Sequence, residues 1–252
     1  MTSKCLLRLT VALAVLPAAV SCGGGGGGGA GSGGAVAHPV SMTSGTALVI
    51  TTDNGLRLRP ADGRDITVDD RADPRWSHDD GTWTLDLSCA DRDRDDDPCP
   101  RTPTVGVPDG VRVTATARDA GIDVAGVAAA LDLTTVNGDV TVARSGLDDA
   151  AVRLVTRNGS VRTAALDAGR LTARTTNGDV ILGCATAPSA VTGTTANGSV
   201  DVTVPHDSPA YRVTARTDNG RTGVGLPVRN TAGHGPVMTL TTVNGDVGAR
   251  RD

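Results

Sequence analysis

One short pattern recurs through the second half of the chain and constrains its fold more than any other feature. Six copies centre on an Asn-Gly pair, and threonine stands two residues before the asparagine in every copy. The asparagines follow one another at steps of 21, 19, 20, 22 and 25 residues, a period typical of one supersecondary unit per repeat. The pairs are Thr135 and Asn137, Thr156 and Asn158, Thr175 and Asn177, Thr195 and Asn197, Thr217 and Asn219, and Thr242 and Asn244.

Apolar and polar residues alternate on both sides of each Asn-Gly pair. The position six residues before the asparagine is apolar in every copy: Leu131, Val152, Leu171, Val191, Val213 and Met238. This is the period of a half-buried strand, and Asn-Gly interrupts it because both residues accept positive φ at low cost. Degenerate copies run from Leu48 to Leu58 around Asn54-Gly55 and from Val111 to Val124 around Gly121.

Two folds fit this alternation. In one, each Asn-Gly is a type I′ hairpin and the repeat is an antiparallel strand pair. In the other, each repeat is one coil of a parallel β-solenoid, and like residues stack about 4.8 Å apart. A hairpin does not require the recurring threonine, whereas stacked threonines and asparagines can hydrogen-bond to their copies above and below. The sequence therefore predicts an all-β protein, a parallel β-solenoid of about 20-residue repeats with about ten coils, and leaves the hairpin as the alternative.

The aromatic content suits a thin interior. Phenylalanine is absent, and the aromatic residues are Trp76, Trp83 and Tyr211, so Val, Leu, Ala, Ile and Thr must fill the core. Trp76 and Trp83 flank Asp80-Gly81, which predicts a hairpin. We expect the two indoles to cover an open end of the solenoid; the alternative is that they stack on sugar rings.

The N-terminus indicates export. Lys4 and Arg8 precede an apolar run, Leu9 to Val20, that is too short to span a bilayer, so residues 1–21 are a predicted signal peptide. Ala19-Val20-Ser21-Cys22 resembles a bacterial lipobox, which predicts that Cys22 is lipidated. The alternative is ordinary cleavage after Ser21, which leaves a free thiol.

The next segment, residues 22–44, is a predicted linker because seven glycines, Gly23–Gly29, follow Cys22 and the segment offers almost nothing to bury. Residues 45–252 then have the steady composition of one domain. The formal net charge is −4, and −6 once Lys4 and Arg8 leave with the signal peptide. This charge argues against nucleic acid as a partner. The expected location is extracytoplasmic, with the membrane lipid holding the chain at the outer face of the bacterial cell membrane.

The repeats also carry a resemblance to a known family. The Thr-x-Asn-Gly-Asp/Ser-Val copies behind a lipobox, led by Val107-Pro108-Asp109-Gly110-Val111, resemble the bacterial "putative adhesin" family of β-strand-repeat domains of unknown function. The resemblance covers about Gly45 to the C-terminus. It implies a repetitive β architecture at the cell surface, and it brings no functional residue to transfer.

The remaining cysteines suggest structure rather than chemistry. Cys89 and Cys99 close a short loop, and in an exported protein this spacing predicts a disulfide. Cys184 is expected to be a small core residue. Within the loop, Asp91, Asp93 and Asp95 imitate the first half of a calcium loop. The glycine and glutamate that such a loop needs are missing, so a solvated loop tip is expected and no metal site is predicted.

No catalytic site is predicted either. None of the histidines, His38, His78, His206 and His234, lies in a Ser/His/Asp, H-E-x-x-H or G-x-S-x-G context. Asp139, Asp179 and Asp246 recur after Asn-Gly. Equivalent carboxylates indicate turn chemistry, whereas catalysis needs one pair in distinct environments.

The sequence thus predicts a surface lipoprotein that displays a non-catalytic binding, adhesion or scaffold module, without a cofactor. Its expected partner is an envelope polysaccharide or another surface protein. The alternatives are a carbohydrate-active β-helix enzyme and an accessory lipoprotein that senses envelope stress.

Overall fold

Alternating apolar and polar residues produce strands with one buried and one exposed face. In Ala130–Thr134, for example, Leu131 and Leu133 are buried while their neighbours are partly exposed. The computed structural model describes residues 40–89, 101–229 and 235–252, and these ranges contain 20 strands and no helix. The predicted signal peptide, Cys22, the linker up to residue 39 and Cys99 lie outside the described residues.

The strands in chain order are β1 (Val40–Ser41), β2 (Ala47–Thr51), β3 (Leu56–Pro60), β4 (Asp65–Val68), β5 (Arg75–Asp79), β6 (Thr82–Asp86), β7 (Thr104–Val107), β8 (Arg112–Thr116), β9 (Ile122–Ala125), β10 (Ala130–Thr134), β11 (Val140–Ala143), β12 (Gly146–Val155), β13 (Val161–Arg174), β14 (Val180–Cys184), β15 (Ala190–Thr194), β16 (Val200–Val204), β17 (Arg212–Asn219), β18 (Thr222–Gly225), β19 (Val237–Asn244) and β20 (Val247–Arg251).

Nineteen of these strands form two sheets that are parallel over most of their width, and the short strand β1 pairs antiparallel with β4. Sheet 1 has the order β5-β6-β2-β8-β10-β12-β13-β15-β19-β17. Sheet 2 has the order β4-β7-β3-β9-β11-β13-β14-β16-β20-β18. The long strand β13 runs through both sheets, its first half in sheet 2 and its second half in sheet 1.

The predicted parallel β-solenoid is confirmed. Each coil is a sheet 1 strand followed by a sheet 2 strand, and in seven of the coils an Asn-Gly pair lies at the corner between them. The hairpin alternative is wrong, because like residues pair in parallel, for example Asn158 with Asn177. The described residues contain nine such coils, close to the ten expected, and the ten strands of each sheet extend over roughly 43 Å.

The coils do not stack in chain order at either end. Near the N-terminus, β2 lies between β6 and β8, so the first coil of the chain is the second coil of the stack. At the other end, β19 lies between β15 and β17. The last coil of the chain is therefore inserted beneath the one before it.

The two ends are also finished differently. At the N-terminal end, β5 and β4 add antiparallel to β6 and β7 and cover the outer edge of each sheet. The predicted hairpin at Asp80-Gly81 is present, with φ of 45° and 74°. Trp76 and Trp83 meet edge to face at 6.2 Å and pack partly buried against the core, as expected of a cap. At the opposite end β17 and β18 each have one neighbour among the described strands.

The core is a thin aliphatic layer between the sheets, built largely from Val, Leu, Ile and Ala. Tyr211 is fully buried, and its hydroxyl donates to the carbonyl of Pro188 at 2.9 Å. No helix in the described part of the chain is long and apolar enough to cross a membrane.

Candidate binding surface

An asparagine ladder runs along the edge where sheet 1 turns into sheet 2. The Nδ2 of each asparagine donates to the Oδ1 of the asparagine in the neighbouring coil, for instance Asn177 to Asn158 at 2.9 Å. The order is 137, 158, 177, 197, 244 and 219, with distances of 2.8 to 3.0 Å. The predicted asparagine ladder is thus present among the described residues, in stack order rather than chain order, and its side chains are exposed.

The recurring threonines do not form the ladder that the sequence predicted. Each hydroxyl donates instead to a backbone carbonyl in the neighbouring coil, as Thr175 does to Gly159 at 2.7 Å. Thr156, Thr195, Thr217 and Thr242 bond the glycine carbonyl of the neighbouring Asn-Gly pair in the same way, and Thr135 bonds the carbonyl of Ala120. The carbonyl is the better partner because a corner breaks the strand ladder and leaves that oxygen without a backbone donor.

Close stacking explains why glycine follows each asparagine. A Cβ on Gly178 would lie 2.1 Å from the carbonyl oxygen of Gly159, and Gly198 and Gly245 face the same contact in their own coils. Gly178 also has φ of 144°, a conformation that a side chain makes costly. The glycine of each Asn-Gly pair is therefore needed for the close stacking of the coils as well as for the turn. The sequence pattern alone did not reveal the first of these roles.

The residues after Asn-Gly alternate between acid and hydroxyl along the stack. Asp139 accepts the backbone N–H of Ser160 at 2.8 Å, and Asp179 accepts that of Ser199 at 2.9 Å. Ser160 in turn accepts the N–H of Asp179 at 3.2 Å. Asp246 closes the series by accepting from Arg221 at 2.8 Å. These carboxylates satisfy corner amides of the next coil, which supports their interpretation as turn chemistry.

The outer faces of the two sheets differ in how their arginines are paired. On sheet 2 the pairs Arg59–Asp123, Arg162–Asp139 and Arg250–Asp201 balance one another. On sheet 1, six arginines point outward from the coils, and the same strands carry partly or fully exposed acids, among them Asp132, Asp148, Asp149 and Asp218. Four of these arginines, Arg170 and Arg174 on β13 and Arg212 and Arg216 on β17, form no ion pair with another described residue, on a chain whose formal charge is −4.

A groove on sheet 1 is lined by balanced charges. It has a volume of about 560 Å³ and lies where the register of β12 shifts between Leu147 and Ala151. Arg112 and Arg153 line it together with Asp132 and Asp149. Arg153 donates to Asp132 at 3.0 Å, so two of the four charges neutralise each other.

The candidate reactive residues are placed as follows. His78 stacks on Trp83 with ring centres 4.4 Å apart, and His206 is exposed. Burial, with a smaller contribution from Asp167, raises the pKa of the buried Cys184 thiol to about 12, which fits a core residue. Among the described residues no three His, Cys, Asp or Glu side chains gather as metal ligands.

The remaining candidates fall in part outside the described residues. His38, His234, Cys99 and the three aspartates of the calcium-like loop are among them. The Cys89–Cys99 disulfide stays a prediction.

Fold and surface together define a two-sheet parallel β-solenoid whose repeated polar side chains bond coil to coil. Residues 109–248 match the Toastrack DUF4097 family, so the chain belongs to that family. This match confirms the resemblance drawn from the repeats to a bacterial family of β-strand-repeat domains.

Two solved structures are similar to the chain. A putative adhesin from Bacteroides fragilis NCTC 9343 is 12% identical, covers 85% of this chain and 95% of its own, and has a TM-score of 0.43. A putative cell adhesion protein from Clostridium sporogenes ATCC 15579 is 9% identical, covers 85% of this chain and 97% of its own, and has a TM-score of 0.39. A comparison with curated proteins finds no match.

Proposed function

We propose that this protein is a lipid-anchored module on the outer face of the bacterial cell membrane that binds an envelope component through its repeated surface. The main support is that the repeated polar side chains are engaged in hydrogen bonds within the stack. The corner threonines, asparagines and aspartates all bond neighbouring coils. Groups committed in this way hold the scaffold rigid and leave the flat outer faces for contact.

The same observation argues against catalysis. Acid-base chemistry needs two groups in different environments beside a pocket that excludes water. Asp139 and Asp179 instead occupy equivalent corners, and each accepts a backbone N–H of the next coil. A flat repeated face suits many weak contacts that add together, as binding of a polymer or a second surface protein requires.

Binding and turnover are separated by one experiment. The full chain, purified in detergent, is incubated with envelope polysaccharides from the host, and both retention and released product are measured. We expect retention without product. Asp179→Asn is the matched variant, because its Oδ1 can still accept the N–H of Ser199; turnover abolished by this change would make the protein an enzyme and overturn the proposal.

The anchor is tested separately in cells. If Cys22 is lipidated, Cys22→Ala moves the protein from the membrane fraction to the medium or leaves it unprocessed. A second variant, Cys184→Ala, controls for the loss of a free thiol as such and should stay in the membrane fraction. Equal membrane retention of Cys22→Ala would refute the anchor.

A further inference from the structure

Four arginines frame one part of the outer face of sheet 1. On β13 the outward residues Arg170 and Arg174 lie four positions apart, and on β17 Arg212 and Arg216 do the same. The register aligns the two pairs across β15 and β19. We call the outward positions of these four strands, from Arg170 and Arg174 to Arg212 and Arg216, the arginine-framed field.

The interior of the field is uniform. Its remaining outward positions are six threonines with Ala190 and Val237. Three coil steps separate the arginine pairs, about 14 Å along the solenoid, and four residues separate the members of a pair, about 13 Å along the strand. The field is therefore a nearly square platform of hydroxyl and methyl groups with a guanidinium at each corner.

The charge of the field is not cancelled locally. All four arginines are exposed, and none forms an ion pair with another described residue. No outward position within the field is acidic; the exposed Asp218 lies just beyond it, two residues after Arg216 on β17. Positive charge is thus concentrated here on a chain of net negative charge.

The inverted order of the last two coils creates this arrangement. In chain order β17 would pair with β15, and its arginines would lie two coil steps from Arg170 and Arg174. Because β19 is inserted between them, two consecutive threonine strands, Thr192–Thr194 and Thr239–Thr241, fill the gap. The insertion widens the threonine platform and moves the second arginine pair to its far edge.

We propose that the arginine-framed field binds an anionic glycan of the envelope, through carboxylate or phosphate groups that the arginines grip and sugar hydroxyls that the threonines contact. This rests on the proposed function and names its surface and ligand class. Arginine presents a planar fork that matches a carboxylate or phosphate in two hydrogen bonds. Threonine hydroxyls both donate and accept, as sugar hydroxyls do. Aromatic side chains, on which the bases of a nucleic acid would stack, are absent from the field.

Protection of an exposed sheet edge would explain only two of the four arginines. Charged residues on an exposed edge strand discourage sheet-to-sheet aggregation, and Arg212 and Arg216 lie on such an edge, β17. Arg170 and Arg174 do not, because β13 has strand neighbours on both sides in sheet 1. Variants of the two pairs therefore separate edge protection from binding.

The test measures binding of the full chain in detergent to immobilised polygalacturonate and to a phosphorylated mannan. Methyl-esterified polygalacturonate is the uncharged control ligand and single-stranded DNA the competing polyanion. The variants change both arginines of one pair, or all four, to glutamine. The control variant, Arg57→Gln with Arg250→Gln, removes two exposed arginines from the outer face of sheet 2. Unfolding midpoints in urea establish that all variants are folded.

We expect the four-arginine variant to bind a charged glycan at least about tenfold more weakly, each pair variant to lose part of this, and the control to change less than about twofold. The glycan that binds more tightly identifies the anionic group. Equal loss in the control, full binding of the esterified ligand, or DNA binding with the same arginine dependence would each overturn the inference. If whole envelope retains the four-arginine variant as well as it retains the wild type, the field is not the binding surface, but the proposed function still stands. If the wild type binds no envelope component, the proposed function itself is refuted.

Discussion

The hydroxyl of Thr175 tests how the coils are held together. It donates to the carbonyl of Gly159 at 2.7 Å, and Thr175 is only 8% exposed. No other donor to this carbonyl is found among the described residues. Thr175→Val keeps the shape of the side chain, replaces the hydroxyl by a methyl group and leaves the carbonyl of Gly159 without a partner.

The expected cost follows from that orphaned carbonyl. A buried polar group that loses its only hydrogen bond costs about 1 to 3 kcal/mol, and the near-isosteric change adds little cavity or strain. We therefore expect Thr175→Val to lower the free energy of unfolding by about 2 kcal/mol. The adjacent Thr176 is exposed, so Thr176→Val should change it by less than about 0.5 kcal/mol.

Urea unfolding of the full chain, followed by circular dichroism, measures both values. The midpoint should fall for Thr175→Val while the slope of the transition stays the same, because the surface exposed on unfolding does not change. Equal midpoints for the two variants would show that the corner hydroxyls do not stabilise the stack, and the reasoning would be wrong.

Three further predictions concern the same scaffold. Gly178→Ala should destabilise the protein by more than about 3 kcal/mol or prevent folding, because its Cβ would lie 2.1 Å from the carbonyl oxygen of Gly159. Gly223→Ala, which meets no atom within 4 Å, should unfold like the wild type in the same urea assay. Asn177→Asp removes one donor of the ladder and should lower the thermal midpoint as the acid ionises above about pH 4; an unchanged midpoint at pH 7 would contradict this. The pKa of Cys184 rises from 9.0 to about 12 on folding, so the stability that its neutral thiol provides is complete below pH 9 and is lost as the pH rises toward 12. Cys184→Ala should flatten this alkaline loss, and a pH profile of urea midpoints identical to that of the wild type would refute the assignment.

The repeat pattern predicted much of the fold correctly. Thr135, Asn137 and their copies mark the corners of successive coils, and the two degenerate copies near Asn54 and Gly121 are coils as well. The hairpin at Asp80-Gly81 was also readable, because its turn chemistry is local. Each of these features depends on residues that are neighbours in the sequence, so a local pattern is enough to predict it.

The partners of the polar corner residues were less predictable. The sequence indicated that the threonines are buried and bonded, but a hydroxyl can serve a copy of itself or a carbonyl equally well. The choice of the glycine carbonyl depends on where the corner backbone points. The arginine-framed field was not foreseen for a related reason, since its two arginine pairs lie on strands far apart in the sequence and β19 is inserted between them out of chain order.

By itself the sequence determined that the chain forms coils of about 20 residues with an apolar interior and Asn-Gly corners. Only the tertiary structure decided the order in which the coils stack. Every coil presents the same parallel edge, so the total number of strand pairings is the same whether β17 or β19 is the outer strand. The one signal in the sequence was the longest step, the 25 residues from Asn219 to Asn244, which leaves enough chain to pass the preceding coil. Contacts between strands far apart in sequence select the order, and with it the surface that the protein presents.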